Sequence, residues 1–222
     1  LKANDDCEYY LWSTNGEQQT ITVSPIENTT YYVTVGKFGC SEKAQVIVNV
    51  NEVPIANAGF DETICKGEEV TITANEGEAN MGVSFIWSEG SPAKSITVSP
   101  IESTTYIVTA TKEECYSTDE VVITVNQLPK AELVAIGNST VCKGDSATLQ
   151  LTLTGSGLWS YVSQSEDYLG TTDSVTDAIT IYSYIPETTT SHTILFLTDL
   201  TTGCSDSINQ TITITVNKLH TI

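Results

Sequence analysis

Hydrophobic residues in this chain alternate with polar ones over short runs. Residues 70–74 (VTITA) and 149–153 (LQLTL) place an apolar side chain at every second position. A period of two is that of a β-strand with one buried face. Valine, isoleucine and threonine are abundant, and these residue types favour half-buried strands. The pattern predicts an all-β fold.

The sequence of one predicted pair of strands occurs twice in the chain. Residues 22–35 read TVSPIENTTYYVTV, and residues 97–110 read TVSPIESTTYIVTA. Each copy is a strand, a Ser-Pro break, a polar turn and a second strand that begins with a tyrosine, Tyr31 or Tyr106. In immunoglobulin-like sandwiches a tyrosine at this place hydrogen-bonds through its hydroxyl to the preceding turn, where the chain crosses between the sheets. We therefore predict tandem immunoglobulin-like β-sandwiches with structural corners at these two tyrosines.

The duplication extends over most of the chain. The offset is 75 residues both from Trp12 to Trp87 and from Cys40 to Cys115, so nothing is inserted between these landmarks. The tryptophans recur on the same strand, which favours a place in the core over a sugar-stacking surface. We predict three domains: a partial repeat that lacks its first strands (repeat one, 1–51), a complete repeat (repeat two, 54–127) and an enlarged repeat (repeat three, 130–217).

Repeat three is longer between its tryptophan and its corner. Pro100 follows Trp87 by 13 residues, whereas Pro186 follows Trp159 by 27. The 14 extra residues predict an added hairpin. His192 takes the corner position of the tyrosine, where we expect its N–H to replace the hydroxyl. A catalytic histidine is the alternative, but the sequence offers no Gly-x-Ser-x-Gly elbow and no assigned acid to orient the ring.

The inserted segment carries tyrosines and acids that would suit a ligand-binding loop. These residues are Tyr161, Glu166, Asp167, Tyr168 and Asp173. Loops on a rigid scaffold commonly carry recognition, so one hypothesis is contact with a sugar or a protein. The other is a hairpin without a ligand.

The charge of the chain is strongly negative. It has 28 acidic residues against nine basic ones, all lysines, and a formal net charge of −19. Such a chain is repelled by anionic backbones and membrane surfaces, which argues against nucleic-acid partners. No window of about 18 apolar residues occurs, so membrane insertion is not expected. The sequence begins in mid-pattern without an export signal, and we expect it to be part of a longer exported protein.

Six cysteines at repeat-related positions predict disulfides and an oxidising compartment. The predicted pairs are Cys65 with Cys115, Cys142 with Cys204, and Cys7 with Cys40, the last because the expected upstream partner of Cys40 is missing from this chain. In the chain-entropy treatment each long loop closed by the first two pairs is worth roughly 4 kcal/mol. In a strict immunoglobulin topology, however, Cys65 and Cys115 would lie far apart.

Metal chemistry has little support in the sequence. There is no Cys-x-x-Cys motif, and two histidines are too few for a usual zinc site. No cofactor is expected. Acidic pairs in turns, at residues 61–62, 68–69 and 113–114, leave calcium as an alternative to solvated charges.

Taken together, several motifs carry a family resemblance: C-K-G before an alternating strand, then W-S, T-V-S-P-x-x-x-T-T-Y, and V-x-V-N-x-x-P. The chain resembles the immunoglobulin-like and PKD-like repeats of large Bacteroidota surface adhesins, which include gliding adhesins exported by type IX secretion. The resemblance implies a secreted, cell-surface stalk or filament segment that is not an enzyme. Its implied partners are neighbouring repeats of the same longer chain, surface glycans or other filament subunits.

The resemblance also implies a modification. Ser146, Ser174 and Ser207 each stand in an Asp-Ser-aliphatic sequence, similar to the O-glycosylation pattern of periplasmic proteins in Bacteroidota. Two other functions stay open at this point. The repeats would also suit an accessory spacer of a secreted hydrolase, and repeat three would suit a glycan-binding module.

Overall fold

The computed structural model describes residues 1–4, 6–74, 82–166 and 168–218, and Tyr168 by its backbone only. All regular elements in these residues are β-strands, seventeen in number, which confirms the predicted all-β class. The strands fall into three consecutive groups that correspond to the three sequence repeats. Tandem immunoglobulin-like β-sandwiches are the architecture of the chain.

Repeat one contains one three-stranded antiparallel sheet. Its strands, in the order β1-β2-β3, are β1 (Tyr9–Trp12), β2 (Thr29–Lys37) and β3 (Cys40–Val48). Among the described residues of this repeat, the opposite layer consists of an isolated bridge between Lys2 and Thr20. Because so little covers this sheet, its buried core consists of Ala3, Trp12 and Val33.

Repeat two is a complete two-sheet sandwich. Its strands are β4 (Glu62–Cys65), β5 (Val70–Thr73), β6 (Ser84–Trp87), β7 (Ser95–Val98), β8 (Thr104–Lys112) and β9 (Cys115–Asn126). One sheet has the order β4-β9-β8-β6, with β4 parallel to β9, and the other pairs β5 with β7. Alternate residues such as Val108, Val121 and Ile123 are fully buried between the sheets. This arrangement is that of an immunoglobulin-like fold.

Repeat three repeats this plan with one added edge strand in each of its two sheets. Its strands are β10 (Lys130–Ile136), β11 (Thr140–Cys142), β12 (Ala147–Thr154), β13 (Trp159–Ser165), β14 (Tyr168–Val175), β15 (Ile179–Tyr184), β16 (Thr190–Asp199) and β17 (Ser205–Asn217). One sheet has the order β11-β17-β16-β13-β14, and the other has the order β10-β12-β15. The hairpin predicted for the inserted residues is confirmed, since β14 pairs antiparallel with β13.

The three tryptophans are core residues, each 2–3% exposed. In repeats one and two the indole N–H donates to a carbonyl six residues later, from Trp12 to Gln18 (2.9 Å) and from Trp87 to Ala93 (3.1 Å). In repeat three the inserted hairpin replaces that loop. The buried Trp159 indole N–H consequently has no acceptor among the described residues.

Two polar residues just before the aromatic position make the hydrogen bonds of each corner. One lies three positions before the aromatic residue and the other lies two positions before it. The first accepts a hydrogen bond through its side-chain oxygen from a backbone N–H near the end of the last strand of the repeat. These pairs are Asn28 with Val50 (2.7 Å), Ser103 with Val125 (3.0 Å) and Thr189 with Val216 (3.0 Å). The second is a threonine whose hydroxyl donates to the carbonyl two residues earlier, in the pairs Thr29–Glu27, Thr104–Glu102 and Thr190–Thr188 (2.7 to 3.0 Å).

The tyrosines contribute to the corners by packing. Tyr31 is buried and Tyr106 packs against the core of repeat two, near the starts of β2 and β8. Among the described residues, neither hydroxyl makes the expected hydrogen bond to the preceding turn. The polar side chains before the aromatic position, rather than its hydroxyl, therefore tie the corner to the last strand.

Candidate functional site at the repeat junction

A disulfide between Cys65 and Cys204 crosses from repeat two to repeat three. The two residues are 139 positions apart in sequence, with a Cα–Cα distance of 5.6 Å. The predicted pairs Cys65–Cys115 and Cys142–Cys204 are therefore wrong. The reason is the parallel pairing of β4 with β9, which places Cys65 beside Asn126, at the far end of the strand that Cys115 begins. At about 3.3 Å per residue, those two ends lie about 36 Å apart.

A tight turn positions Cys65 at the end of β4. The Lys66 N–H donates to the Asn126 carbonyl (2.9 Å), and the Glu68 N–H donates to the Cys65 carbonyl (3.0 Å). The Glu68 carboxylate in turn accepts from the Cys65 N–H (2.7 Å). Gly67 adopts φ +91°, a conformation that side chains disfavour. The turn formed by the C-K-G motif thus fixes the orientation of Cys65.

A buried carboxylate organises the turn that carries Cys204. Asp199 is 2% exposed, and its N–H donates to the Cys204 carbonyl (2.8 Å). Its carboxylate accepts from the Ser156 N–H (2.7 Å), the Ser156 hydroxyl, and the N–H groups of Thr201 (3.0 Å) and Thr202 (3.2 Å). Burial alone would raise the pKa of this carboxyl, but the hydrogen bonds from Ser156, Thr202 and Thr201 outweigh it and hold the pKa below its ordinary value. Sequence patterning did not single out this aspartate.

An open cleft of about 630 Å³ lies beside the disulfide. Lys66 and Lys130 line it together with Asp199 and Asp206. The residues linking the two repeats form part of its wall, and Pro129 at their end is fully buried. The junction is thus held by a short linker, a disulfide and buried contacts.

The other four cysteines are free thiols. Cys40 and Cys142 are exposed, whereas Cys7 and Cys115 are half-buried. The predicted pair Cys7–Cys40 is not formed because β2 lies between β1 and β3. Two strand spacings amount to about 9.6 Å, which exceeds the Cα separation that a disulfide spans.

His192 has a partner that the sequence did not indicate. Its Nε2 hydrogen-bonds to the Tyr184 hydroxyl (2.6 Å) on β15, in the opposite sheet, and Tyr182 lies edge-on to the ring. Burial lowers the pKa of His192 and raises that of Tyr184. Burial and then the neighbouring Tyr184 and Tyr161 raise the pKa of Tyr182 to about 12. The histidine thus bridges two sheets inside repeat three.

The proposed ligand-loop residues do not form one cluster in the described part of the chain. Tyr161 is half-buried and packs against the core of repeat three. Asp173 accepts a hydrogen bond from the Ser160 hydroxyl (2.6 Å), and Glu166 is exposed. Asp167 and the side chain of Tyr168 lie outside the described residues. The ligand-binding hypothesis for this segment stays a prediction.

The three serines predicted to carry O-glycans are all exposed. Ser146 lies just before β12, Ser174 in β14 with φ +58°, and Ser207 in β17. Exposure makes each hydroxyl accessible, and modification stays a prediction.

Two of the acidic pairs considered for calcium have other contacts. Asp61 accepts from the Val122 N–H (2.8 Å), and Glu68 from Cys65 as described above. Over the described ranges, no group of three or more His, Cys, Asp or Glu side chains is arranged to hold a metal ion. In the same residues, no helix has the length and apolar character needed to cross a bilayer.

The chain resembles solved structures of tandem immunoglobulin domains at low sequence identity. No protein-family model matches the chain, and no curated protein sequence matches it. A three-immunoglobulin-domain fragment of titin, a mutated variant, is similar over 98% of this chain and 89% of its own, with 10% identity and a TM-score of 0.46. The eight N-terminal immunoglobulin domains of Down Syndrome Cell Adhesion Molecule cover 98% of this chain, with 15% identity and a TM-score of 0.48. That match spans 31% of the longer structure, and all these likenesses concern the fold alone.

Proposed function

We propose that this chain is a stalk segment of a secreted bacterial surface adhesin, in which immunoglobulin-like repeats space or present binding domains. The Cys65–Cys204 disulfide is the observation that supports this proposal most directly. A linker alone leaves two domains free to bend about it, whereas a second covalent connection across the same junction restricts the hinge. Restricted hinges keep an array of domains extended, which a spacer requires.

The same disulfide would limit how far the chain stretches under load. Tension applied to the two ends passes from Cys65 directly to Cys204, so the residues between them carry none of it. A segment of 139 residues extends to about 490 Å when unfolded, at about 3.5 Å per residue, which is about 480 Å beyond the 5.6 Å that the disulfide spans. That length stays hidden while the disulfide is intact. Between Cys65 and Cys204, a stalk built this way transmits force with little extension even when these parts of repeats two and three unfold.

Single-molecule stretching between the two ends of the chain tests the mechanical part of the proposal. We expect the oxidised chain to unfold without releasing the hidden length, and the reduced chain to release about 480 Å more. Cys65→Ser should behave like the reduced chain, while Cys142→Ser is the matched control with an intact disulfide. Equal extensions for the oxidised chain and Cys65→Ser would contradict the load-bearing role.

The adhesin part of the proposal rests on the sequence resemblance, and a different experiment tests it. Antibodies against repeat two should label intact cells of the source organism, and the full-length reading frame should contain many such repeats. A reading frame with one catalytic domain beside these repeats would instead favour a spacer in a secreted hydrolase. Absence of surface labelling would contradict the adhesin proposal.

A further inference from the structure

Two places in the structure present a C-K-G cysteine in the same way. Cys65 ends β4 beside Asn126 of β9, and Cys142 ends β11 beside Asn217 of β17, both in parallel pairing. The lysine after each cysteine donates its N–H to the carbonyl of that asparagine, at 2.9 Å in both cases. A C-K-G strand therefore pairs at a defined position, next to the asparagine that ends the last strand of a repeat. We call this pairing position the seat of the strand.

The corresponding seat in repeat one is open. Asn51 precedes Asn126 by 75 residues, the offset that relates the two repeats. In the described part of the chain no strand lies along the outer side of β3, which ends its sheet. Val46 of β3 is 38% exposed, whereas its counterpart in repeat two, Val121, is completely buried. A groove of about 270 Å³, with Trp12 and Val33 in its lining, opens beside this strand.

A free thiol already stands at this open seat. Cys115 is the counterpart of Cys204, since each begins or directly precedes the last strand of its repeat. Its Sγ lies 3.9 Å from the Asn51 carbonyl oxygen. Lys112, three residues earlier, approaches Glu52 of the linker at 4.0 Å. Repeat two thus holds Cys115 against the end of repeat one, much as Cys204 of repeat three is held at Cys65.

We propose that repeat one receives a strand ending in C-K-G, which pairs parallel to β3, covers the groove and forms a disulfide with Cys115. The occupant is the first-strand segment of an immunoglobulin-like repeat, of the kind found at residues 54–71 of this chain. Two thiols lose two protons and two electrons in this step, and a small-molecule disulfide accepts them and becomes two thiols. The inference rests on the repeat geometry and does not depend on the stalk role.

A synthetic peptide with the sequence of residues 54–71 tests the inference, because Cys65 is its one cysteine. The host is the whole chain with Cys7→Ser, Cys40→Ser and Cys142→Ser, which keeps the Cys65–Cys204 disulfide and leaves Cys115 free. In oxidised glutathione we expect the peptide to form a mixed disulfide with Cys115 at least about tenfold faster than a scrambled peptide does, since docking raises the effective concentration. Peptide mapping by mass spectrometry identifies the linked cysteine.

Two controls distinguish docking from simple thiol reactivity. In a second host, Cys115 is replaced by serine and Cys142 is retained, so the exposed thiol lies where β11 already pairs with β17. The 54–71 peptide and the scrambled peptide should react with this thiol at equal rates. A Cys65→Ser version of the peptide should still slow amide hydrogen exchange in β3, because strand pairing precedes the disulfide. Equal rates at Cys115 together with unchanged exchange in β3 would overturn the proposal. Dimers of the unmodified chain linked through Cys115 would also overturn it, by assigning the seat to a second copy.

Discussion

The Ser103 side-chain oxygen accepts a hydrogen bond from the Val125 N–H at 3.0 Å, which ties the corner of repeat two to its last strand. Asn28 and Thr189 make the same connection in the other two repeats. We expect Ser103→Ala to destabilise repeat two by about 1 kcal/mol, because the Val125 N–H loses its acceptor. Hydrogen exchange of β8 and β9 measures this loss.

Tyr106→Phe is the matched control for this corner. It removes a hydroxyl without a hydrogen-bond partner among the described residues and keeps the ring that packs on the core. Exchange rates close to those of the unchanged chain are expected. A larger loss of exchange protection for Tyr106→Phe than for Ser103→Ala would show that the tyrosine hydroxyl stabilises the corner.

Asp199 should make repeat three sensitive to acid. Its pKa in the folded chain lies below its ordinary value of 3.8, so its stabilising effect is complete above that value and is lost as the pH falls through the folded pKa. Asp199→Asn should remove this acid-dependent loss and cost about 2 kcal/mol at neutral pH, since charge-assisted hydrogen bonds are weakened. Denaturant unfolding from pH 7 to pH 2 measures both effects. The exposed Asp173→Asn serves as the control, and an equal response from it would contradict the assignment.

His192 should add a second pH dependence at a higher range. Its pKa is lowered from the ordinary 6.5 by burial, so the fold favours the neutral ring. The associated stability is present above pH 6.5 and declines as the pH falls through the folded pKa of the histidine. His192→Gln keeps a polar partner for Tyr184 and should abolish this decline. NMR titration of the ring gives the pKa directly, and a value above 6.5 would show that the direction is wrong.

Calcium should leave the thermal stability of the chain unchanged. Backbone N–H groups already occupy carboxylate oxygens of Asp61 and Glu68 in two of the three acidic pairs considered. Calcium binding needs six to eight oxygen ligands, which isolated turn carboxylates do not supply. Calorimetric scans with millimolar calcium and with a chelator should therefore superimpose. A rise in the melting temperature with calcium, but not with magnesium at equal ionic strength, would reveal a site.

Periodicity and repeat offsets were sufficient to predict most of the fold. Alternation identified strands such as β5 and β12, and the unequal spacing after Trp159 located the hairpin that contains β14. Both are local properties that the order of residues determines directly. The position of the corner was predicted correctly, but its stabilising hydrogen bond was assigned to the tyrosine hydroxyl. The hydrogen bonds that hold the corner come instead from the polar residues just before the tyrosine, such as Asn28 and Ser103.

The junction could not be predicted in the same way. The cysteines were paired within single repeats, whereas the parallel seat of β4 sends Cys65 towards the next repeat. Parallel pairing joins strands that are distant in sequence, and alternation carries no sign of it. The role of Asp199 was not predicted for a related reason, since the fold brings its partners Ser156 and Thr202 to it.

The disulfide at this junction also changes what a protease can accomplish. A cut at any one peptide bond between Cys65 and Cys204 leaves the two fragments covalently attached. Such a cut would appear on a reducing gel and stay invisible on a non-reducing one. Exposed loops of both sandwiches can therefore be nicked once without releasing whatever the far end of the chain carries.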